Sequence, residues 1–339
     1  MLSSFISGCA GEALTGDEWR FFQDARPCGF IVFKRNCREP EQVKALVNGF
    51  KDAVGSDNVL VLIDQEGGRV QRLAPPHWRK LPAGAAYGRM YREDPELACA
   101  AARSIFQLLA MDLRALGLNT NCAPLLDLAA PGMSDAIGDR AFGSDISMIA
   151  ELGRAVADGL LAGGVLPVMK HLPGHGRATA DSHKVLPVVD ATRGRLAETD
   201  FAPFRALNDL PIGMTAHILF PEIDRSGPAT TSRLMIDEII RGDIGFDGLL
   251  LSDDLGMEAL AGRMDERTAA VLAAGCDVAL HCSGRMEEML AVANTAGWLE
   301  GRCQERFAAA LACRKPPEAF DVSQALEALA EVIAIGGRG

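Results

Sequence analysis

The sequence predicts an α/β protein whose parallel strands and helices form a single-domain (β/α)8 barrel of the TIM type. Its 339 residues suit one such barrel with insertions, or two ordinary domains. Short apolar runs rich in β-branched residues alternate with amphipathic segments, a pattern typical of a parallel sheet covered by helices. The phosphate-binding loops G-x-G-x-x-G and G-x-x-x-x-G-K-[ST] are absent from the sequence, which disfavours a nucleotide-binding fold of two halves.

The predicted strands follow one another along most of the chain. The first is expected near Phe5, and the others at residues 29–34, 58–64, 118–124, 164–171, 211–217, 246–253 and 276–281. Amphipathic segments predict helices at residues 41–54, 95–116, 149–162, 232–241 and 267–274. No linker rich in Pro, Ser or Gly divides the chain and no repeat is visible, so residues 1–339 are interpreted as one domain. A Pro-Pro break precedes a closing helix expected at about 321–335.

The composition limits the classes of molecule that the protein is expected to bind. Hydrophobic residues make up 48% of the chain and charged residues 23%, so a large buried core is expected. The formal net charge is −11, and the acidic residues are spread along the chain. Nucleic acids and anionic membranes select basic surfaces, so neither is expected as a partner. The negative net charge does not argue for or against the binding of a small neutral ligand.

The cysteines and the N-terminus indicate the compartment. Nine cysteines occur without any C-x-x-C pair, which favours a reducing environment. The segment ISGCAG resembles a lipoprotein cleavage box, but no Lys or Arg precedes it. The apolar run before it is shorter than the roughly 7–15 residues of a signal peptide. No apolar run approaches the ~20 residues of a membrane span, so a soluble cytoplasmic protein is expected.

Ionisable side chains fall where several predicted strands end. They are Asp64, Lys170, His171, His217, Asp253 and His281. The carboxyl ends of barrel strands converge on one face, which carries the active site in enzymes of this fold. A functional cluster is therefore expected on that face. For His281, a buried structural role with its ring hydrogen-bonded is as strong an alternative as a place in this cluster.

The segment KHLPGHGRATADSH contains His171, His175 and His183. The first two have the H-x-x-x-H spacing of zinc helices, but the Pro-Gly between them breaks such a helix and no Glu follows the first. A zinc site built on a loop stays open as an alternative. A phosphate-binding loop is disfavoured because the lysine of a P-loop is missing at the required spacing.

The end of this segment, Asp181-Ser-His183, suits proton transfer. The Asp181 carboxylate can reach the imidazole of His183, where it would fix the tautomer and raise the basicity. Glycines before the pair allow the segment to move, and a histidine titrating near neutrality suits general acid–base work. The alternative is a turn without a catalytic role. His175, between two glycines, is assigned only to shaping the loop.

A carboxylate pair, Asp253 and Asp254, follows the apolar run GLLLS. Asp253 is expected to point from the strand end into the pocket, and Asp254 to point away or to cap the following helix. Asp253 could act as a nucleophile toward a sugar carbon, ligate a metal, or only cap a helix.

Two glycine-containing segments add polar groups. In IDQEGGRVQRL, four charged residues surround a Gly-Gly turn: Asp64, Glu66, Arg69 and Arg72. Asp64 and Arg72 suit the binding of sugar hydroxyls, although a surface turn with weak ion pairs is the alternative. In AIGDRAFGSD, Arg140 lies at the centre of a loop after the fourth predicted strand, where function concentrates more than packing.

Together these segments resemble glycoside hydrolase family 3. Four stand in the family's order over about residues 6–281: IDQEGGRVQRL, IGDRAFG, KHLPGHGRATADSH and LLLSDDLGM. K-H-x-P-G-H-G followed by D-S-H is specific for its single-domain branch, the bacterial β-N-acetylglucosaminidases of cell-wall recycling. Leu172 stands where Phe is usual, a change expected to affect loop packing more than chemistry.

The resemblance implies one catalytic barrel over the whole chain and a role for each matched residue. Asp253 matches the nucleophile, His183 the acid/base and Asp181 its partner. Five residues match positions that bind the N-acetylglucosamine ring: Asp64, Arg72, Arg140, Lys170 and His171. The resemblance implies a saccharide or muropeptide substrate, no metal and no cofactor; a monomer is favoured.

Three alternatives stay open at this stage. A zinc-dependent amidohydrolase could use the same barrel, and a sugar-binding protein could lack catalysis. A neutral histidine base does not repel an anion as a carboxylate would, so phosphate stays open as an acceptor beside water.

Overall fold

The computed structural model describes residues 1–337. Its ten strands are β1 Ser3–Ser7, β2 Pro27–Val32, β3 Leu60–Ile63, β4 Gln65–Gly67, β5 Val70–Gln71, β6 Thr120–Asn121, β7 Leu166–Leu172, β8 Ile212–Thr215, β9 Leu249–Asp254 and β10 Val278–His281. Eight of them form a closed barrel in the order β1-β10-β9-β8-β7-β6-β3-β2, and every neighbouring pair is parallel. The short strands β4 and β5 form a separate antiparallel hairpin. The predicted (β/α)8 barrel is confirmed.

Helices cover the outside of the barrel. They are α1 Gly16–Ala25, α2 Pro40–Val54, α3 Gly84–Glu93, α4 Pro95–Ala115, α5 Ile146–Ala162, α6 Arg193–Glu198, α7 Ala202–Ala206, α8 Met264–Ala274, α9 Met286–Ala296, α10 Gly301–Ala312 and α11 Val322–Gly336. Within residues 1–337, none of the helices combines the length and apolar character that a membrane span requires.

One predicted α-helix, at residues 232–241, is wrong in type. The segment Met235–Asp243 is a π-helix, in which the Ile244 N–H donates to the Ile239 carbonyl oxygen at 2.8 Å. An apolar period of about 3.6 residues does not distinguish a π-helix from an α-helix, because both present one buried stripe.

The strands read as continuous apolar runs because both of their faces are buried. Along β3, Leu60 and Leu62 pack inside the barrel, whereas Val61 and Ile63 pack against the surrounding helices. This alternation follows from the two-residue repeat of a strand. The barrel interior is therefore filled with side chains, and polar groups concentrate at its carboxyl end.

Candidate active site

The predicted site residues surround one cavity of about 280 Å³ at the carboxyl ends of the barrel strands. All eight line it: Asp64, Arg72, Arg140, Lys170, His171, Asp181, His183 and Asp253. They come from β7 and β9 and from the loops after β3, β6 and β7. The barrel topology thus brings together residues nearly 200 positions apart, as the convergence of parallel strands requires.

A charged cluster forms one wall of this cavity. The Lys170 ammonium lies 3.0 Å from the Asp64 carboxylate and also contacts Glu66. Asp64 accepts a second bond from the Arg72 guanidinium at 2.9 Å. Glu66 accepts two bonds from Arg140, at 2.8 and 2.9 Å. Lys170 thus connects the bidentate pair of Arg140 and Glu66 to the ion pair of Arg72 and Asp64. These contacts fix the orientation of all five side chains.

The cluster keeps its charges at neutral pH. Burial raises the pKa of Asp64, but the positive charges of Lys170 and Arg72 lower it by more than this. The pKa therefore lies well below its ordinary value. Burial opposes the ionisation of Glu66 too, yet Arg140 and Lys170 bring its pKa to about 2. Burial lowers the pKa of Lys170, and the two carboxylates raise it above its ordinary value. The cavity therefore offers fixed charged donors and acceptors for hydroxyl groups.

Asp127 is a buried carboxylate that the sequence interpretation missed. Its Oδ2 lies 2.7 Å from His171 Nδ1, and its Oδ1 accepts the His175 backbone N–H at 2.7 Å. Burial raises its pKa, but the charge and hydrogen bond of His171 lower it below the ordinary value. An ionised carboxylate only accepts, so Nδ1 of His171 carries the proton. Nε2 is then the ring atom that His171 offers to the cavity.

Asp253 lies at the end of β9 and faces the cavity. Burial raises the pKa of this carboxyl, but the neighbouring His171 and His217 and the Asp254 N–H lower it below its ordinary value. It is therefore ionised at neutral pH, as a nucleophile must be. Asp254 caps no helix; its carboxylate accepts the N–H groups of Gly256 at 3.0 Å and Cys282 at 3.1 Å.

Asp181 and His183 form a pair on the loop after β7. The Nδ1 atom of His183 lies 2.9 Å from Asp181 Oδ1, and the same oxygen accepts the His183 backbone N–H at 3.0 Å. Burial raises the pKa of Asp181, and both bonds to His183 lower it below its ordinary value. The His183 side chain is 68% exposed, so its ring is open to a ligand and to solvent.

Two strand-end histidines do not line the cavity: His217, which was expected there, and His281, for which a buried position was an equal alternative. His281 is fully buried, and its Nε2 lies 2.9 Å from both Glu288 and Ser283. Leu280, one position earlier, faces the barrel interior, so alternation turns His281 toward α9. His217 is buried beside Asp253, with its Nε2 at 3.0 Å from the Asp254 carbonyl oxygen.

The imidazole rings of the three histidines in the loop segment have separate partners: that of His171 binds Asp127, that of His175 lies against Ser182, and that of His183 binds Asp181. Among residues 1–337, no three His, Cys, Asp or Glu side chains are arranged to hold a metal ion.

Two further residues line the cavity that the sequence interpretation did not assign to the site. Phe33 lies below Arg72, whose guanidinium carbon is 5.0 Å from the ring centroid. Arg69, noted only as part of a charged cluster, binds the backbone carbonyls of residues 135–137 and the Asp139 carboxylate. It joins the β4–β5 hairpin to the loop that carries Arg140.

A TIM-type barrel with charged side chains around a pocket at its carboxyl end has the arrangement of an enzyme of this fold, and comparison with known proteins gives its class. The profile of the glycosyl hydrolase family 3 N terminal domain matches residues 17–309. The chain belongs to that family and is a glycoside hydrolase of the β-hexosaminidase type. It is 41% identical over 286 residues to a beta-hexosaminidase from Thiobacillus denitrificans, covering 83% of this chain and 79% of the relative.

Solved structures agree. NagZ from Neisseria gonorrhoeae, in complex with N-trifluoroacetyl-D-glucosamine, superposes with a TM-score of 0.85 at 30% identity, over 99% of this chain and 98% of that one. A family 3 beta-N-acetylglucosaminidase from Paenibacillus sp. has a TM-score of 0.86 at 28% identity, over 98% of this chain and 67% of that one.

Proposed function

We propose that the protein is a retaining exo-β-N-acetylglucosaminidase in which Asp253 is the nucleophile and His183 the acid/base. One observation supports this most: an ionised carboxylate and a carboxylate-bound imidazole face the same cavity, beside a fixed charged cluster. A glycosidase that retains configuration needs a nucleophile and a proton donor on opposite sides of the scissile bond.

The reaction proceeds in two displacements. Asp253 attacks the anomeric carbon while protonated His183 donates its proton to the departing oxygen, which gives a covalent glycosyl-aspartate. Neutral His183 then takes a proton from water, which attacks the same carbon and releases Asp253. Asp181 holds the Nδ1 proton of His183, so that Nε2 performs both transfers. Two inversions restore the β configuration.

The remaining site residues hold the sugar. The carboxylate of Asp64 accepts hydrogen bonds from sugar hydroxyl groups, and Lys170 and Arg72 keep that carboxylate ionised and oriented. Arg140 and His171 complete the wall, the latter through the Nε2 atom that Asp127 leaves free. Groups fixed in this way add less conformational entropy cost when a ligand binds.

N-acetylglucosamine is the proposed terminal sugar because the Neisseria gonorrhoeae neighbour holds an N-acylated glucosamine. The proposed natural substrates are peptidoglycan fragments, GlcNAc-1,6-anhydro-MurNAc and its peptides, in cytoplasmic cell-wall recycling. The whole chain would act as one catalytic domain and as a monomer. Water is the proposed acceptor, and the exposed ring of His183 is equally open to phosphate.

An aryl β-N-acetylglucosaminide assayed with and without a chelator tests this function. Turnover that persists with chelator, and that releases the β-anomer first by NMR, is the expected result. Loss of activity on chelation would indicate the zinc amidohydrolase, and saccharide binding without turnover would indicate a non-catalytic protein. Repeating the assay in phosphate and looking for a sugar 1-phosphate distinguishes the two acceptors.

A further inference from the structure

Ser182 lies between the two members of the acid–base pair but faces the opposite way. It is 3% exposed, whereas the side chains of Asp181 and His183 are 27% and 68% exposed. Its hydroxyl oxygen lies 3.2 Å from the Nε2 atom of His175. Its carbonyl oxygen accepts the N–H of Ala259 at 3.2 Å. The loop that exposes the pair is thus attached to the protein at the residue between them.

His175 is itself fixed to the barrel. Its backbone N–H donates to Asp127 Oδ1 at 2.7 Å, and the other oxygen of that carboxylate binds His171. Gly176, the next residue, packs so closely against the backbone of Leu128 that an added Cβ would lie 1.7 Å from the Leu128 carbonyl oxygen. The root of the loop therefore has little freedom, and one buried carboxylate orients both His171 and His175.

The ring of His175 suits a hydrogen bond to a hydroxyl. Burial, the largest effect, lowers its pKa to about 4, so the ring is neutral at pH 7 and offers one donor and one acceptor. In the described part of the chain its Nδ1 has no hydrogen-bond partner, which makes Ser182 the polar anchor of the ring. Neither group has an evident part in the bond-breaking steps.

We propose that His175 and Ser182 are positioning residues for the acid–base pair. Their hydrogen bond links Asp127 at the barrel end to the loop and sets the place of His183 relative to Asp253. The inference rests on the proposed function and deepens it by naming the contact that aligns the proton donor. A catalytic group on a loop gains from such a link because small displacements of reacting groups reduce rates strongly.

Ser182→Ala tests the link with the smallest change. It removes one hydroxyl and leaves the Asp181–His183 bond intact. We expect kcat/KM, which reports the first displacement, to fall about three- to tenfold on substrates with poor leaving groups that need protonation, the worth of one neutral hydrogen bond. The kcat/KM of activated aryl glycosides should change by less than about twofold. Ser104→Ala is the matched control, because its hydroxyl donates to the Ala101 carbonyl within α4, away from the cavity.

A second readout is independent of the chemistry. The side chain of Lys184 is 81% exposed one residue after the pair, so trypsin can test how readily this loop opens. We expect limited trypsin digestion of Ser182→Ala to cut after Lys184 several times faster than in the wild type, with other sites unchanged. Ser104→Ala should digest like the wild type.

His175→Gln and His175→Leu test the other end of the link. Gln places an amide near the position of Nε2 and should retain most of the wild-type rate on poor leaving groups. Leu fills similar space without a polar atom and should resemble Ser182→Ala. Should His175→Leu fail to fold, the Ser182→Ala measurements still decide the question.

Ser182→Ala with wild-type kinetics and wild-type digestion would overturn the inference. Equal losses of kcat/KM on both substrate classes would also overturn it, because a positioning role for the proton donor predicts unequal ones. The proposed function fails separately, if His183→Ala shows no dependence on the leaving group. The rate of cleavage at Lys184 would then still report the link itself.

Discussion

The Nζ atom of Lys170 lies 3.0 Å from Oδ1 of Asp64, and the pair joins two strands that are not neighbours in the barrel. Lys170 lies on β7 and Asp64 directly after β3, and β6 separates them. Glu66 is the lysine's second acceptor. This contact fixes the carboxylate proposed to bind sugar hydroxyls.

Lys170→Met should weaken sugar binding more than it slows the chemical step. The substitution keeps the length of the side chain but removes the charge that orients Asp64. We expect kcat/KM to fall about 10- to 100-fold, mainly through KM, because a hydrogen bond to a charged group is worth about 1.5–3 kcal/mol. Steady-state kinetics with an aryl β-N-acetylglucosaminide measures this. Lys44→Met, on the exposed face of α2, is the control. An unchanged kcat/KM in Lys170→Met would contradict the assignment.

Stability should depend on pH through Glu66. Its pKa in the folded protein, about 2, lies below the ordinary 4.5, so its contribution is fully present above about pH 4.5. That contribution is lost as the pH falls toward 2. The difference in unfolding free energy between the wild type and Glu66→Gln should therefore shrink from pH 7 to pH 3 in urea titrations. Glu41→Gln, an exposed control, should show a small difference throughout. A Glu66→Gln difference that does not vary with pH would refute the ionised cluster.

Removal of His183 should affect substrates according to their leaving groups. Without a proton donor, His183→Ala should lose roughly 10²- to 10⁴-fold on poor leaving groups, which need protonation. Activated aryl glycosides should keep far more of their glycosylation rate. Values of kcat/KM across a series of aryl β-N-acetylglucosaminides, which report glycosylation, give the dependence, with the exposed His77→Ala as the control. Uniform loss across the series would remove the acid assignment.

Much of the candidate active site could be predicted because the barrel topology brings the carboxyl ends of all its strands to one face. Asp64, Lys170 and Asp253 were found in this way, since each follows a recognisable apolar run. The glycine-containing loop indicated Arg140, the D-S-H sequence indicated proton transfer by Asp181 and His183, and the resemblance to family 3 then assigned each its role. Residues on loops have no such positional rule, and only their motifs indicated them.

What the sequence did not reveal depends on tertiary contacts. Asp127 lies three residues after the fourth predicted strand, inside an apolar segment; a lone charge there signals a buried carboxylate with fixed partners. For His281 the sequence left a place at the cavity and a buried place equally open, and in the structure a one-residue change of face turns it outward. The contact of His175 with Ser182 depends on the folded path of the loop, which no local pattern specifies.

The nucleophile assignment is the central claim, and Asp253→Ala tests it most directly. Turnover of an activated aryl β-N-acetylglucosaminide should fall roughly 10⁴-fold or more, with an unchanged circular dichroism spectrum. Added azide should restore turnover and give the α-glycosyl azide, because it enters the space that the carboxylate vacates. Hydrolysis at near the wild-type rate, or azide rescue with a β product, would contradict the account.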